Sequence, residues 1–215
     1  MNRSIFAVAT SAAIVASADA AIVAFTSYGD WAGASANPEL ALFASTVGAV
    51  IHTETFEGGP TASVPSLSGG SAWNAWTASA TSGVRTTGKA LAAASAGNAL
   101  LLTFTNASSE PSLLAVGGNF NLYNSAGQKV DGRIWVRLAN GSSIVRNFTA
   151  NDNFVGFWSD DITAPIMSMR IQATGSGASA FTVGIDNLYL ATVPAPGALA
   201  LLGAAALVGW NRRRA

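Results

Sequence analysis

RIWVRLANGSSIVRNF, residues 133–148, decides the fold. In its first half Ile134, Val136 and Leu138 alternate with Arg133, Trp135 and Arg137. That is the period of two expected of a strand buried on one face. A second run, Ser142 to Phe148, follows after Asn140-Gly141, the pair most typical of a two-residue hairpin loop. Two strands in immediate succession with one apolar face form the unit of an antiparallel sheet, not of strands linked by helices. The same phase puts Trp135 on the face opposite the apolar set, between two arginines.

The chain on either side reads in the same way. Upstream, Leu100, Leu102 and Phe104 share one face of a strand over Ala99 to Thr105, and Leu114, Val116, Phe120 and Leu122 are expected on one face of the next. Val50 to Glu57 reads as a strand, Gly58 to Gly70 as a loop rich in Gly, Ser, Thr and Pro, and Trp73 to Ala80 and Val84 to Ala94 as weaker strands. Downstream, Phe154 to Trp158, Ile166 to Ala173 and Phe181 to Leu190 are strands, separated by Asp160-Asp161 and by the Gly/Ser run Gly175 to Ser179. Near the start, Ala21 to Tyr28 begins as a strand that Gly29-Asp30 breaks. A helix is expected from Asn37-Pro38-Glu39 to about Val47: Asn is the N-cap, Pro opens the first turn, and Gly48 stops it. Many short strands, polar turns and no interposed helices predict a mainly β protein, an antiparallel β-sandwich with one short helix near the N-terminus.

Both ends depart from that pattern. Met1 to Ala20 has the form of a secretory signal peptide. Arg3 is its positive start, Ile5 to Ala18 its apolar core, and Ala18-Asp19-Ala20 a small-x-small cleavage site before Ala21. Such a segment implies the Sec export machinery and signal peptidase as partners. Residues 21–192 are then the folded domain, and 193–215 form a separate tail. That tail, Val193-Pro194-Ala195-Pro196-Gly197, then an apolar run to Trp210, then Arg212, Arg213 and Arg214, has three parts with separate physical jobs. The prolines break any strand or helix. The run of roughly 13 apolar residues makes about 20 Å of helix, short against about 30 Å of hydrocarbon. The arginines stay on the cytoplasmic side.

The order P-x-P, apolar helix, terminal arginine cluster resembles the PEP-CTERM sorting signal of Gram-negative bacteria. The match covers Pro194, Pro196, the apolar run and Arg212 to Arg214, and departs at Ala195, where the motif has Glu. The resemblance implies transient anchoring in the inner membrane through the C-terminal helix. It then implies cleavage by exosortase and delivery to the cell surface or extracellular polysaccharide matrix, in a non-catalytic structural or adhesive role. A second resemblance, of Phe56-Glu57-Gly58 and of the last strand Gly184 to Ala191, is to jelly-roll domains of such exoproteins and of carbohydrate-binding modules. It implies that the early and final strands lie side by side, and it offers a glycan-binding module as the alternative function.

Setting aside Arg3, Arg212, Arg213, Arg214 and Asp19 turns an even balance of 11 basic and 11 acidic residues into 7 basic and 10 acidic. A mildly acidic domain is not expected to bind nucleic acid. With no cysteine and one histidine, His52, neither a disulfide framework nor a zinc site can be built. No G-x-S-x-G elbow accompanies His52, so a serine-type triad has no support. His52 is in strand phase with Val50, Glu54 and Phe56, the position of a structural histidine. Glu54, Glu57, Asp160, Asp161 and Asp186 leave a carboxylate pair for glycoside hydrolysis open. No cofactor is expected, apart from a structural calcium held by Glu57 and Asp186 with carbonyls of Gly58-Gly59. Trp135, flanked by Arg133 and Arg137, is the candidate sugar platform.

Overall fold

The computed structural model describes residues 22–33, 50–87, 90–105, 107–108, 112–124, 126, 128–152, 154–161, 163–174 and 181–192. The expected signal peptide, the helix expected at 37–47, the Gly/Ser run at 175–179 and the expected sorting tail all lie outside the described residues. No helix among the described residues is long and apolar enough to cross a membrane.

In chain order the elements are β1 (Ile22–Phe25), α1 (Tyr28–Gly33), β2 (Val50–Glu54), β3 (Val64–Gly69), β4 (Trp76–Thr87), β5 (Ala90–Ala93), β6 (Leu100–Phe104), β7 (Ala115–Tyr123), β8 (Gly132–Leu138), β9 (Ser143–Phe148), β10 (Val155–Ser159), β11 (Ile166–Ala173) and β12 (Thr182–Thr192). All pairings are antiparallel, and the main path runs β1-β10-β7-β12-β5-β4-β6-β11-β8-β9, with β2 on β12 and β3 on β4. The expected sandwich is thus one continuous sheet turned back on itself. Strand β4 makes the turn: Trp76–Ser79 pairs with β6, and Val84–Thr87 with β5. Gly83 sits at the corner with φ +80°, where a Cβ would come within 2.6 Å of the Val64 carbonyl oxygen, so only glycine fits.

The main core lies between the two layers. Leu100, Leu102, Phe104, Ile134, Val136, Met169 and Ile171 come from one layer; Val116, Phe120, Leu122, Phe157, Val183, Ile185 and Leu190 come from the other. The hairpin reading holds in register: Arg133 pairs with Asn147, Trp135 with Val145 and Arg137 with Ser143. Its loop differs. Type I′ geometry needs positive φ at both central residues, and here only Gly141 has it, at 91°. Residues 139–141 therefore form a three-residue loop, closed by Leu138 N–H on Ser142 O at 2.9 Å.

Three further expectations change. The loop expected at 58–70 contains β3, whose Pro65 falls at a register shift in a strand that pairs only with β4, a place where a missing N–H costs little. Gly29-Asp30 lies inside α1 rather than ending a strand, since Ser27 Oγ accepts the Asp30 N–H at 3.4 Å. Leu114 does not share a face with Val116. It belongs to a second core, with Ala115, Phe154, Trp158 and Ala191, on the outer side of the layer.

That second core covers the outer face of one layer. Val23, Trp158, Ala115, Ala191 and Ile51 follow one another across β1, β10, β7, β12 and β2. Tyr28 of α1 packs edge-on to Phe154 at 5.7 Å and against Tyr189 at 4.8 Å. Gly117 lies beneath the aromatic cluster, and a Cβ there would be 2.7 Å from the Phe154 ring. Burial raises the Tyr189 phenol above its ordinary 10.0, with smaller pushes from Tyr28 and Asp186. The unfolded chain then loses this proton first. The stability linked to Tyr189 is complete below pH about 10 and is lost as pH rises through the folded value. An ultraviolet titration should show one tyrosine ionising later in the native protein than in denaturant; coincident curves would contradict this packing.

Candidate functional site

Among the described residues, the other layer's outer face has no such cover. Its strands run β9-β8-β11-β6-β4-β3, and side chains alternate between core and solvent along each. Ile134, Val136 and Leu138 are buried as the hairpin reading requires, and Trp135 points outward and is half-buried. Registered neighbours place Val145, Trp135, Arg170, Leu101, Ser79 and Ser66 in one row across the six strands. The next row carries Ser143, Arg137, Ser168, Thr103, Thr77 and Ser68, with the Ser68 and Thr77 hydroxyls 2.9 Å apart. Val145 and Leu101 are exposed at 49% and 37%, so apolar surface is interleaved with hydroxyls and guanidiniums.

Trp135 is the centre of this face. Its ring is met by the Arg133 guanidinium at 5.7 Å and by that of Arg170 at 5.5 Å, both within cation–π reach. Neutral amides orient the two arginines: Arg133 Nε donates to Asn147 Oδ1 at 2.9 Å, and Arg170 Nη2 to Gln172 Oε1 at 3.2 Å. Most of their N–H donors remain for a ligand. Arg137 stands on the same face two residues along, beside Ser143 and Ser168, and does not stack on the ring. Arg170 was not visible as a partner in the sequence. It sits in the outward phase between buried Met169 and Ile171, but nothing local reveals that β11 pairs with β8. Trp76 and Trp158 are buried and Trp73 packs against the main core, whereas Trp135 belongs to neither core.

Two open grooves flank Leu101. One, about 520 Å³, is lined in part by Ser79, Asn98, Arg170 and Gln172; the other, about 580 Å³, by Thr103, Arg137, Met167 and Ser168.

The remaining candidates are placed as follows. β2 pairs with β12, so the early and final strands are neighbours. Glu57 follows β2 past Phe56, and Asp186 falls at the register shift of β12. The Glu54 carboxylate accepts the Phe56 N–H at 3.2 Å, and that of Asp161 holds Thr163 N–H at 2.8 Å and its hydroxyl at 2.7 Å. Among the described residues no group of three or more His, Cys, Asp or Glu could hold a metal. A calcium ion at Glu57 and Asp186 would need the rest of its six to eight oxygens from backbone or water. His52 pairs with Leu190 in register, and its Nε2 is buried without a hydrogen-bond partner among the described residues, away from the Trp135 face.

No protein-family model matches the chain, and no curated protein matches it. Among solved structures, it is similar to CBM29_1, a family 29 carbohydrate binding module from Piromyces equi, at 10% identity over 68% of this chain and 93% of that one, with a TM-score of 0.41. A variant of CBM29-2 complexed with cellulohexaose is similar at 13% identity over 69% and 94%, with a TM-score of 0.38.

Proposed function

We propose that residues 21–192 form a non-catalytic glycan-binding domain, displayed outside the cell, with the outer face of β9, β8, β11, β6, β4 and β3 as its binding surface. One observation carries the reading: Trp135 lies outside both cores and points outward, with Arg133 and Arg170 against its ring. Sugar rings present C–H faces that stack on an indole, and their hydroxyls accept from guanidinium N–H groups. A purely structural matrix protein would have no use for an outward Trp held in this way. The purified chain should be retained on at least one polysaccharide in a panel of immobilised neutral and acidic glycans; passage through every column would overturn the reading.

The motifs at the two ends of the chain support a location for such a domain. We propose export by the N-terminal signal, with cleavage after Ala20. A transient stop in the inner membrane follows through 198–210 and Arg212 to Arg214, then release by an exosortase-type enzyme at Val193 to Gly197. Mass spectrometry of the surface-borne protein should find a chain that starts at Ala21 and ends near Pro196. A surface chain that still carries Arg214 would contradict the processing step.

A further inference from the structure

We infer that the glycan taken by the Trp135 face is a polyanion, a polysaccharide bearing carboxylate or sulfate groups along its length. This rests on the glycan-binding reading above and specifies its ligand class. The charge of the domain is segregated. Strands β3, β4, β6, β8, β9 and β11 contain five arginines, at 85, 133, 137, 146 and 170, and no Asp or Glu at all. They therefore hold five of the seven basic residues of 21–192 and none of its ten acidic ones. Arg85 is on the half of β4 that pairs with β5, and Arg146 shares the phase of buried Ile134, so Arg133, Arg137 and Arg170 are the cations of the outer face. With no Asp or Glu in these strands, a net-acidic domain has a directed positive face there.

Three of these arginines, Arg133, Arg137 and Arg170, point outward on the face. Among the described residues, the side-chain hydrogen-bond partners of Arg133 and Arg170 are the neutral amides of Asn147 and Gln172, and the registered neighbours of Arg137 are Ser143 and Ser168. Arg137 and Arg170 occupy diagonal positions on adjacent strands, with a backbone spacing of about 7–8 Å. Like charges gathered on one face repel, and the Trp135 ring offsets two of the three. Each groove beside Leu101 has one of these arginines in its wall and, among the described residues, no carboxylate. Repeated anionic groups on a sugar chain would compensate the charges in succession, often by bidentate contact, while an uncharged ring stacks on Trp135.

The test compares chemically matched pairs: polygalacturonate with its methyl ester, and dextran sulfate with dextran. Binding of the purified full chain is measured by calorimetry at about 50 mM and about 500 mM salt, with duplex DNA as a further polyanion. The expected result is at least tenfold tighter binding to the charged member of either pair, weakened at least tenfold at high salt. Arg137→Gln with Arg170→Gln should abolish the preference at unchanged melting temperature, and Arg137→Lys with Arg170→Lys should retain most of it. Equal, salt-insensitive binding to both members of each pair would overturn the polyanion inference and leave glycan binding standing. Binding to no polysaccharide would overturn both. DNA bound as tightly as the charged polysaccharides would overturn the assignment to sugars.

Discussion

Replacing Trp158 by Ala should lower the unfolding free energy by about 3–5 kcal/mol, a large part of the about 5–15 kcal/mol that holds a domain of this size together. Trp158 is fully buried, and its neighbours explain the cost. It lies between Val23 of β1 and Ala115 of β7, with Ala191 and Ile51 continuing the row. The two alanines leave the space that the indole occupies. A truncated side chain would leave a cavity that the backbone of a central, doubly paired strand cannot close. Strand β10 is buried along its whole length because Val155 and Phe157 face the main core while Trp158 faces the outer one. Urea denaturation would measure the loss. A change under about 1 kcal/mol would mean that the N-terminal segment does not seal this face.

The same strand shows where the sequence stops being legible. Where a strand has one wet face, as in β8 or β6, apolar residues alternate, and the buried set can be read directly. β6 alternates buried and exposed residue by residue as its pattern predicts. Where both faces are covered, as in β10, the alternation vanishes, and nothing in Val155-Gly156-Phe157-Trp158 says that a second core exists. The same double coverage puts Leu114 in the second core while its sequence phase matches Val116 of the main one. β3 was hidden by its own composition: Pro65 and the serines of this edge strand read as loop. In the candidate site, Trp135 and Arg133 were legible because they share one strand. Arg170 was not, because a cross-strand neighbour depends on register between segments far apart in the chain, which no local pattern encodes.

Of the expected effects on binding, that of Trp135→Ala is the largest. Trp135 is half-buried with two guanidiniums against its ring, belongs to neither core, and packs on an already formed sheet. Its removal should therefore cost less than about 1 kcal/mol of stability, in contrast to Trp158. For a ligand that stacks on this ring the cost should be about 2 kcal/mol or more, near thirtyfold in affinity, because central aromatic anchors dominate binding surfaces. Arg133 and Arg170 would also lose the ring that positions them, so the effect should exceed that of removing either arginine alone. The deciding measurement is the equilibrium affinity of the wild-type chain and of Trp135→Ala for the polysaccharide that retains the wild type, with thermal unfolding of both. The account predicts an affinity loss of about thirtyfold at a nearly unchanged melting temperature. Undiminished affinity in a folded Trp135→Ala chain would contradict the assignment of this face as the glycan site.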